Sequence, residues 1–157
     1  MSNINFSLKP VGRACNGCTK CCDGWLTGQA YGLHFYPGKA CQFKGSTGCM
    51  IYLNRPKNPC VSFECEWKRN GSIPEDIKPN KSNIIIVQRS VDGIEYWGVS
   101  EAGKVDHERV SQWLATYHQD TGRNIVMWST PSSKIFSKDL AFVEKIKNKF
   151  PNSSFTQ

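Results

Sequence analysis

The sequence has no long apolar run. Its longest aliphatic stretch is Ile84–Val87, far short of the roughly 18 apolar residues that indicate a membrane-spanning helix. The first ten residues lack a basic segment followed by an apolar segment and a small-residue cleavage site, so the pattern of a secretory signal is missing. We therefore expect a protein without membrane contact, located in the reducing cytoplasm.

Several motifs of enzymes and nucleic-acid-binding proteins are also missing. The sequence contains no P-loop, no Gly-x-Gly-x-x-Gly and no Ser-His-Asp grouping, so nothing indicates a nucleotide site or a hydrolytic centre. It has no RNP-like aromatic pattern either, although such a pattern is typical of RNA-binding sheets. Nothing in the sequence therefore indicates a substrate site beside a metal centre.

The formal net charge is +7, which by itself would suggest a polyanionic partner. Residues 1–80 hold ten Lys/Arg and five Asp/Glu, and residues 81–157 hold ten and eight, so neither part is an extreme basic tail. If eight cysteines bound metal as thiolates, they would add −8, and two divalent metals or cluster cores of about +2 each would return +4. The balance would then be roughly +3, and we do not expect nucleic acid as the partner.

Cysteine is missing from the last 92 residues and concentrated in a window of 51 residues. Reduced cytoplasmic proteins rarely carry so many thiols without a metal or redox purpose. The eight candidate metal ligands are Cys15, Cys18, Cys21, Cys22, Cys41, Cys49, Cys60 and Cys65.

The first four cysteines form the segment Cys-x-x-Cys-x-x-Cys-Cys. Three thiols at i, i+3 and i+6 can converge on a small volume, and Gly17 is available for a tight turn. Disulfides at this spacing would close very small loops. Eight cysteines in 157 residues amount to about 5% of the chain. This fraction is below the roughly 8 to 10% that is typical of disulfide scaffolds. The spacing therefore favours metal binding.

The identity of the metal stays open between an iron-sulfur cluster and zinc. Zinc sites with four cysteines usually pair two short Cys-x-x-Cys knuckles, and the later cysteines form no second knuckle. Three closely spaced cysteines with a distant fourth are typical of [4Fe-4S] ligation, but all-sulfur ligation also suits zinc. His34 could replace a cysteine, although we expect it to be a partly buried histidine that binds no metal.

Eight thiols match two centres of four ligands. The side chains of the neighbouring Cys21 and Cys22 are expected to diverge, which favours separate centres. The first centre then takes Cys15, Cys18 and Cys21 with a fourth from Cys60 or Cys65. The second takes Cys22, Cys41 and Cys49 with the remaining one. The alternative is a single centre with four idle thiols.

The fold is predicted to be α+β, with a cysteine-rich region over residues 1–80 and a ββαβα region over 81–157, packed together as one compact unit. The first region is irregular and rich in Gly and Pro, so we expect metal to be needed for its folding. In the second, Asp92-Gly93 predicts a hairpin between Ile84–Arg89 and Glu95–Ser100. The sheet is expected to be small and mainly antiparallel.

The remaining elements follow from apolar periodicity and capping residues. Asp106 and Gly122 bracket a predicted helix, and residues 124–128 form a third predicted strand. Ser137 is predicted to open a last helix with Leu140, Val143, Ile146 and Phe150 on its apolar side. Residues 151–157 are predicted to be a loose tail.

The cysteine segment, then Cys41, then Gly48-Cys49-Met50-Ile51-Tyr52 with Arg55-Pro56, Cys60 and Cys65, closely resembles the CxxCxxCC family over about residues 12–70. That family is described as a zinc- or iron-chelating domain, and flagellin lysine N-methylases share it. One departure is the spacer between Arg55-Pro56 and Cys60, which has three residues where family members commonly have two. The resemblance implies metal binding more firmly than methyl transfer.

Two functions are carried forward. The first is a metal-binding protein whose site is structural or redox-active and which acts with a protein partner. The second is a small cluster-dependent protein-modifying enzyme similar to a methyltransferase, which would need an open metal position. In either case Arg55 is expected to pair with a carboxylate or to donate to cluster sulfur.

Overall fold

The structure is a computed structural model that describes residues 13–157. It divides into two compact units, the first ending at Lys81 and the second spanning Ser82–Gln157. The predicted α+β class is confirmed, and four of the six strand pairings among the described residues are antiparallel. Within residues 13–157, no helix is both long enough and apolar enough to cross a membrane.

The first unit is built from short elements, as its Gly- and Pro-rich sequence predicts. Two antiparallel hairpins are followed by turns and two single-turn helices. The elements are β1 (Gly28–Ala30), β2 (Leu33–Phe35), β3 (Lys44–Gly45), β4 (Gly48–Cys49), 3₁₀ turns at Tyr52–Asn54 and Glu75–Ile77, a π-type turn at Lys57–Val61, α1 (Glu66–Arg69) and α2 (Pro79–Ser82).

Few apolar side chains are buried in the first unit. Of the described buried apolar residues, five lie there and eighteen lie in the second unit. The five are Ala30, Phe35, Trp67, Ile73 and Ile77. Between Arg13 and Cys65 only Ala30 and Phe35 are buried, so hydrophobic burial alone gives this stretch little stability.

The second unit contains a five-stranded sheet in the order β5-β6-β7-β8-β9. Its elements are β5 (Ile84–Val91), β6 (Ile94–Glu101), α3 (His107–Thr121), β7 (Ile125–Trp128), β8 (Ser133–Phe136), α4 (Leu140–Lys149) and β9 (Phe155–Thr156). The predicted hairpin is confirmed. Asp92 and Gly93 both have left-handed φ values, 47° and 79°, which matches the twist of a type I′ turn.

The predicted helix between Asp106 and Gly122 is also confirmed. The Asp106 carboxylate accepts a hydrogen bond of 3.1 Å from the Arg109 backbone N–H, and Gly122 ends α3 with φ 72°. This helix connects β6 to the parallel strand β7. It lies on the sheet face that carries Trp97, whose ring stacks on Tyr117 with centroids 4.4 Å apart.

Helix α4 packs on the opposite face of the sheet. The core there consists of Val91, Tyr96, Val126, Ile135, Phe142, Val143 and Ile146. The predicted start at Ser137 is wrong, because the Asp139 carboxylate accepts from the Ala141 and Phe142 backbone N–H groups and so caps the helix two residues later. Leu140, predicted on the apolar side, is 78% exposed.

The predicted ββαβα order is incomplete, since it misses β8 and β9. Strand β8 pairs antiparallel with β7. The predicted loose tail is wrong at Phe155–Thr156, because these residues pair in parallel with β8. The Phe155 ring anchors them by an edge contact of 5.7 Å between its centroid and that of Trp128.

Replacing Phe142 by Ala tests the packing of α4. Phe142 is fully buried, so Phe142→Ala should lower the free energy of unfolding by about 3 to 5 kcal/mol, because it leaves a cavity. Leu140→Ala on the same helix is the matched control and should change it by less than about 0.5 kcal/mol, since Leu140 faces solvent. Urea denaturation measures both. Equal effects would contradict this packing.

Candidate metal centre

The loop from Cys15 to Cys18 is a tight turn. The Cys18 backbone N–H donates to the Cys15 carbonyl over 3.0 Å, while Asn16 and Gly17 adopt left-handed φ values of 45° and 78°. A Cβ atom on Gly17 would lie 3.1 Å from the Thr47 carbonyl oxygen. The prediction that Gly17 allows a tight turn is therefore confirmed. The backbone of this loop lies against the turn between β3 and β4.

Cys65 joins this loop from the far end of the cysteine window. Burial first, and then the charges of Cys15, Cys18 and Cys21, raise the pKa of Cys65 to about 11, whereas the Lys68 backbone N–H opposes the shift. Burial likewise raises the pKa of Cys18, helped by Cys21 and Cys15. These four cysteines, Cys15, Cys18, Cys21 and Cys65, are called the first thiol group below.

Backbone N–H groups also point at these sulfurs. The backbone N–H groups of Lys20 and Asn80 favour the thiolate form of Cys18. The backbone N–H group of Lys68 favours the thiolate form of Cys65 in the same way. Such hydrogen bonds stabilise the charged sulfur that binds a metal.

A second set of cysteines is assembled by backbone pairing. The Cys41 N–H donates to the Cys22 carbonyl over 2.8 Å, and the Lys44 N–H donates to the Cys41 carbonyl over 3.0 Å. Lys44 in β3 lies opposite Cys49 in β4. These contacts bring Cys22, Cys41 and Cys49 into one neighbourhood.

Cys60 lies close enough to this neighbourhood to sense its charge. Burial raises the pKa of Cys60, and the charges of Cys21, Cys41 and Cys49 raise it further. The set Cys22, Cys41, Cys49 and Cys60 is called the second thiol group below.

The two groups meet at Cys21 and Cys22. A hydrogen bond between these two thiols is the main cause that raises the pKa of Cys21, and burial adds to it. The Cys22 thiol donates to the Thr19 carbonyl over 3.3 Å, and the assignment of Cys21 and Cys22 to separate centres stays a prediction. Because Cys21 also acts electrostatically on Cys60 and Cys65, the groups adjoin each other.

The donor set fits a thiophilic metal or cluster. All eight cysteines are free thiols of intermediate burial, and crowded, partly buried thiols resist ionisation unless a cation offsets the charge. Among residues 13–157, however, no set of three or more Cys, His, Asp or Glu side chains is arranged to hold a metal ion. The structure thus shows neighbouring thiols in two groups but no finished coordination shell.

Two further residues, His34 and Arg55, were candidates for a role at the metal site. His34 lies on β2 opposite Gln29 and is exposed, so the expectation that it is partly buried is wrong. Arg55 lies near Cys21 and Cys60, whose pKa values its charge lowers against the larger raising effects.

Arg13 makes long-range contacts around Trp67 that the sequence pattern did not indicate. The Arg13 guanidinium donates to the carbonyls of Trp67, Asn70 and Ile73 and stacks over the Trp67 ring at 4.4 Å. It therefore ties the chain just before Cys15 to the helix that follows Cys65. No local motif marks this contact, since its partners are backbone carbonyls 54 to 60 residues away.

No family model, curated protein or solved structure matches this chain. The resemblance to the CxxCxxCC family therefore rests on the motif alone.

Substituting Gly17 tests the close approach of the first loop to the β3–β4 turn. Gly17→Ala should lower the free energy of unfolding by at least about 2 kcal/mol, because Ala is strained at this φ and its Cβ crowds Thr47. Gly32→Ala is the matched control, since Gly32 has φ 79° and nothing within 4 Å of its added Cβ. Gly32→Ala should lower the free energy of unfolding by only about 1 kcal/mol. Chemical denaturation compares them, and equal losses would count against the contact.

Proposed function

We propose that this chain is a metal-binding protein whose first unit holds two adjoining all-cysteine centres. Each centre takes an iron-sulfur cluster or zinc. The first uses Cys15, Cys18, Cys21 and Cys65, and the second uses Cys22, Cys41, Cys49 and Cys60.

One observation carries this proposal: cysteines far apart in the sequence lie near enough to act on each other's charge. Cys65 lies by the loop that holds Cys15 and Cys18, and Cys60 lies by Cys41 and Cys49. Either Cys60 or Cys65 could complete the first set by spacing alone. We assign Cys65 to the first centre because the charges of Cys15, Cys18 and Cys21 act on it. We assign Cys60 to the second because those of Cys41 and Cys49 act on it beside that of Cys21.

The proposed role of the metal is structural or redox rather than catalytic. Four thiolates complete a tetrahedral zinc site or a cubane cluster and leave no position for a substrate. Metal-thiolate bonds would also cross-link a segment that buries only Ala30 and Phe35 between Arg13 and Cys65. A protein-modifying enzyme would instead need one centre with fewer than four thiols.

Membership of the CxxCxxCC family is part of this proposal. Its support is the order of the cysteines together with Ile51-Tyr52 and Arg55-Pro56. The three-residue spacer before Cys60 still lets this thiol lie by Cys41 and Cys49.

A cytoplasmic location and a protein partner complete the proposal. All eight cysteines are free thiols, which suits a reducing compartment. Tyr31, Met50 and Leu53 in the first unit are 62%, 67% and 95% exposed, so these side chains are accessible to such a partner.

Pairs of Cys→Ser substitutions test the division of ligands. Cys65→Ser and Cys60→Ser should each lower the metal content by about half, because each removes one ligand from a different tetrathiolate centre. The double substitution Cys15→Ser/Cys65→Ser, within the first thiol group, should lose no more metal than Cys65→Ser alone. The cross-group double Cys60→Ser/Cys65→Ser should lose nearly all metal.

Elemental analysis after anaerobic purification gives the metal per chain, and an optical spectrum separates iron-sulfur from zinc. A single centre would show itself if one of the two single substitutions removed all metal and the other removed none. A same-group double that loses as much as the cross-group double would contradict the division.

Metal removal should loosen the first unit selectively. Hydrogen exchange over residues 13–70 should accelerate after chelation, because the segment has too little apolar burial to offset about 1 to 2 kcal/mol of backbone entropy per residue. The second unit, with eighteen buried apolar side chains, is the internal control and should keep its protection. Unchanged exchange over residues 13–70 after complete metal removal would refute the requirement.

A further inference from the structure

The first unit contains a long segment without acidic residues. All thirteen Asp and Glu residues of the chain lie outside residues 24–63. The segment holds four basic residues, Lys39, Lys44, Arg55 and Lys57. Among the described residues, only Lys44 of these four forms an ion pair, with Asp23 at 2.7 Å. The side-chain charges of this segment are therefore of one sign and mostly unpaired.

Four apolar side chains of the same segment lie next to each other and are called the apolar patch below. They are Tyr31, Phe43, Met50 and Leu53. The Tyr31 and Phe43 rings meet edge to face with centroids 6.0 Å apart, and the Met50 N–H donates to the Phe43 carbonyl over 2.8 Å. The Tyr31 hydroxyl donates to the carbonyl of Asn54, which follows Leu53. These contacts join three separate stretches of the chain.

The apolar patch faces solvent. Tyr31 and Met50 are exposed, Leu53 is 95% exposed, and Phe43 is half-buried between them and the rest of the unit. Of the eight large apolar side chains that are exposed among the described residues, seven lie in residues 24–63. Single exposed apolar residues are ordinary, whereas neighbouring ones mark interaction sites. The patch therefore has the character of a docking surface.

The charges beside the patch indicate what kind of partner fits it. Lys44 directly follows Phe43, and Arg55 and Lys57 follow Leu53 within four residues. An apolar surface bordered by cations complements a partner with apolar and acidic groups, because opposite potentials steer the encounter and favour the complex.

Aliphatic side chains in the patch favour a protein over a nucleic acid as the partner. Single-stranded nucleic acids are held by stacking of bases on aromatic rings. Met50 and Leu53, the most exposed members of the patch, offer no such ring. Both can instead pack against the apolar side chains of a protein segment.

We propose that the apolar patch is the docking surface for an acidic protein segment that carries apolar side chains. This inference deepens the protein partner of the proposed function and rests on it. It does not depend on which metal the cysteines bind.

Selection from a random peptide library on the anaerobically purified, metal-loaded full chain tests the proposal. The selected peptides should be enriched in Asp and Glu together with leucine or aromatic residues. The best peptide is then synthesised, and its Kd is measured by fluorescence anisotropy. Leu53→Ser should weaken its binding at least about tenfold, because the burial of a leucine side chain is lost. Leu140→Ser is the matched control, since Leu140 is exposed in the second unit and should change nothing.

The role of charge is tested separately. Lys57→Glu should weaken binding several-fold, and a rise in salt from about 0.05 M to about 0.5 M should weaken it as well. Lys138→Glu, in the second unit, is the matched control and should stay within about twofold of the unsubstituted protein. Circular dichroism reports the folding of each variant, and Met50→Ser replaces Leu53→Ser if that variant does not fold.

The outcomes decide the proposal. Acidic peptides that lose affinity in Leu53→Ser and Lys57→Glu, but not in the two controls, support it. Selection without acidic enrichment, or binding that is unchanged in Leu53→Ser, overturns it. Tighter binding of an oligothymidylate or of phosphatidylserine vesicles also overturns it, as does a dimer in light scattering that Leu53→Ser dissociates.

Metal analysis of the same preparation separates this proposal from the proposed metal centres. A metal-loaded chain that selects no peptide overturns the docking surface and leaves the metal centres intact. A chain purified without metal contradicts the metal centres, whichever peptides it selects.

Discussion

The crowding of eight thiols in a segment with almost no apolar core is the constraint on which the first unit depends. From Arg13 to Cys65 the chain buries only Ala30 and Phe35, yet it makes specific long-range contacts. The Arg13 guanidinium reaches the carbonyls of Trp67, Asn70 and Ile73. The loop at Gly17 touches the turn at Thr47. In our proposal, metal-thiolate bonds take the place of a hydrophobic core in this segment.

Electrostatics explains how such a site is completed. Burial and neighbouring thiols raise the pKa of Cys65 to about 11, so ionising this group of cysteines is unfavourable without a compensating cation. In the proposed function, bound metal would provide most of that charge. Backbone N–H groups of Lys20, Asn80 and Lys68 act in the same direction locally.

The sequence predicted most of the second unit. The hairpin and α3 could be placed because Asp92-Gly93, Asp106 and Gly122 have strong local conformational preferences. Strand β8 is short and follows residues 129–132, a run of Ser, Thr and Pro that is typical of a loop. Strand β9 depends on the long-range contact between Phe155 and Trp128. Local patterns contain no information about such pairing.

The difference between local preferences and long-range contacts also explains what could be predicted for the cysteines. Their spacing identified all eight candidates and the turn at Gly17, since both are local properties. It could not decide between Cys60 and Cys65, because that choice depends on how the chain returns after the Lys57–Val61 turn.

X-ray absorption at the metal edge of anaerobically purified protein tests the central claim most directly, since it counts the atoms bound to the metal. The account predicts a shell with sulfur at about 2.3 Å and no nitrogen or oxygen ligands, for iron or for zinc. A shell containing nitrogen or oxygen, or a protein purified without metal, would contradict it.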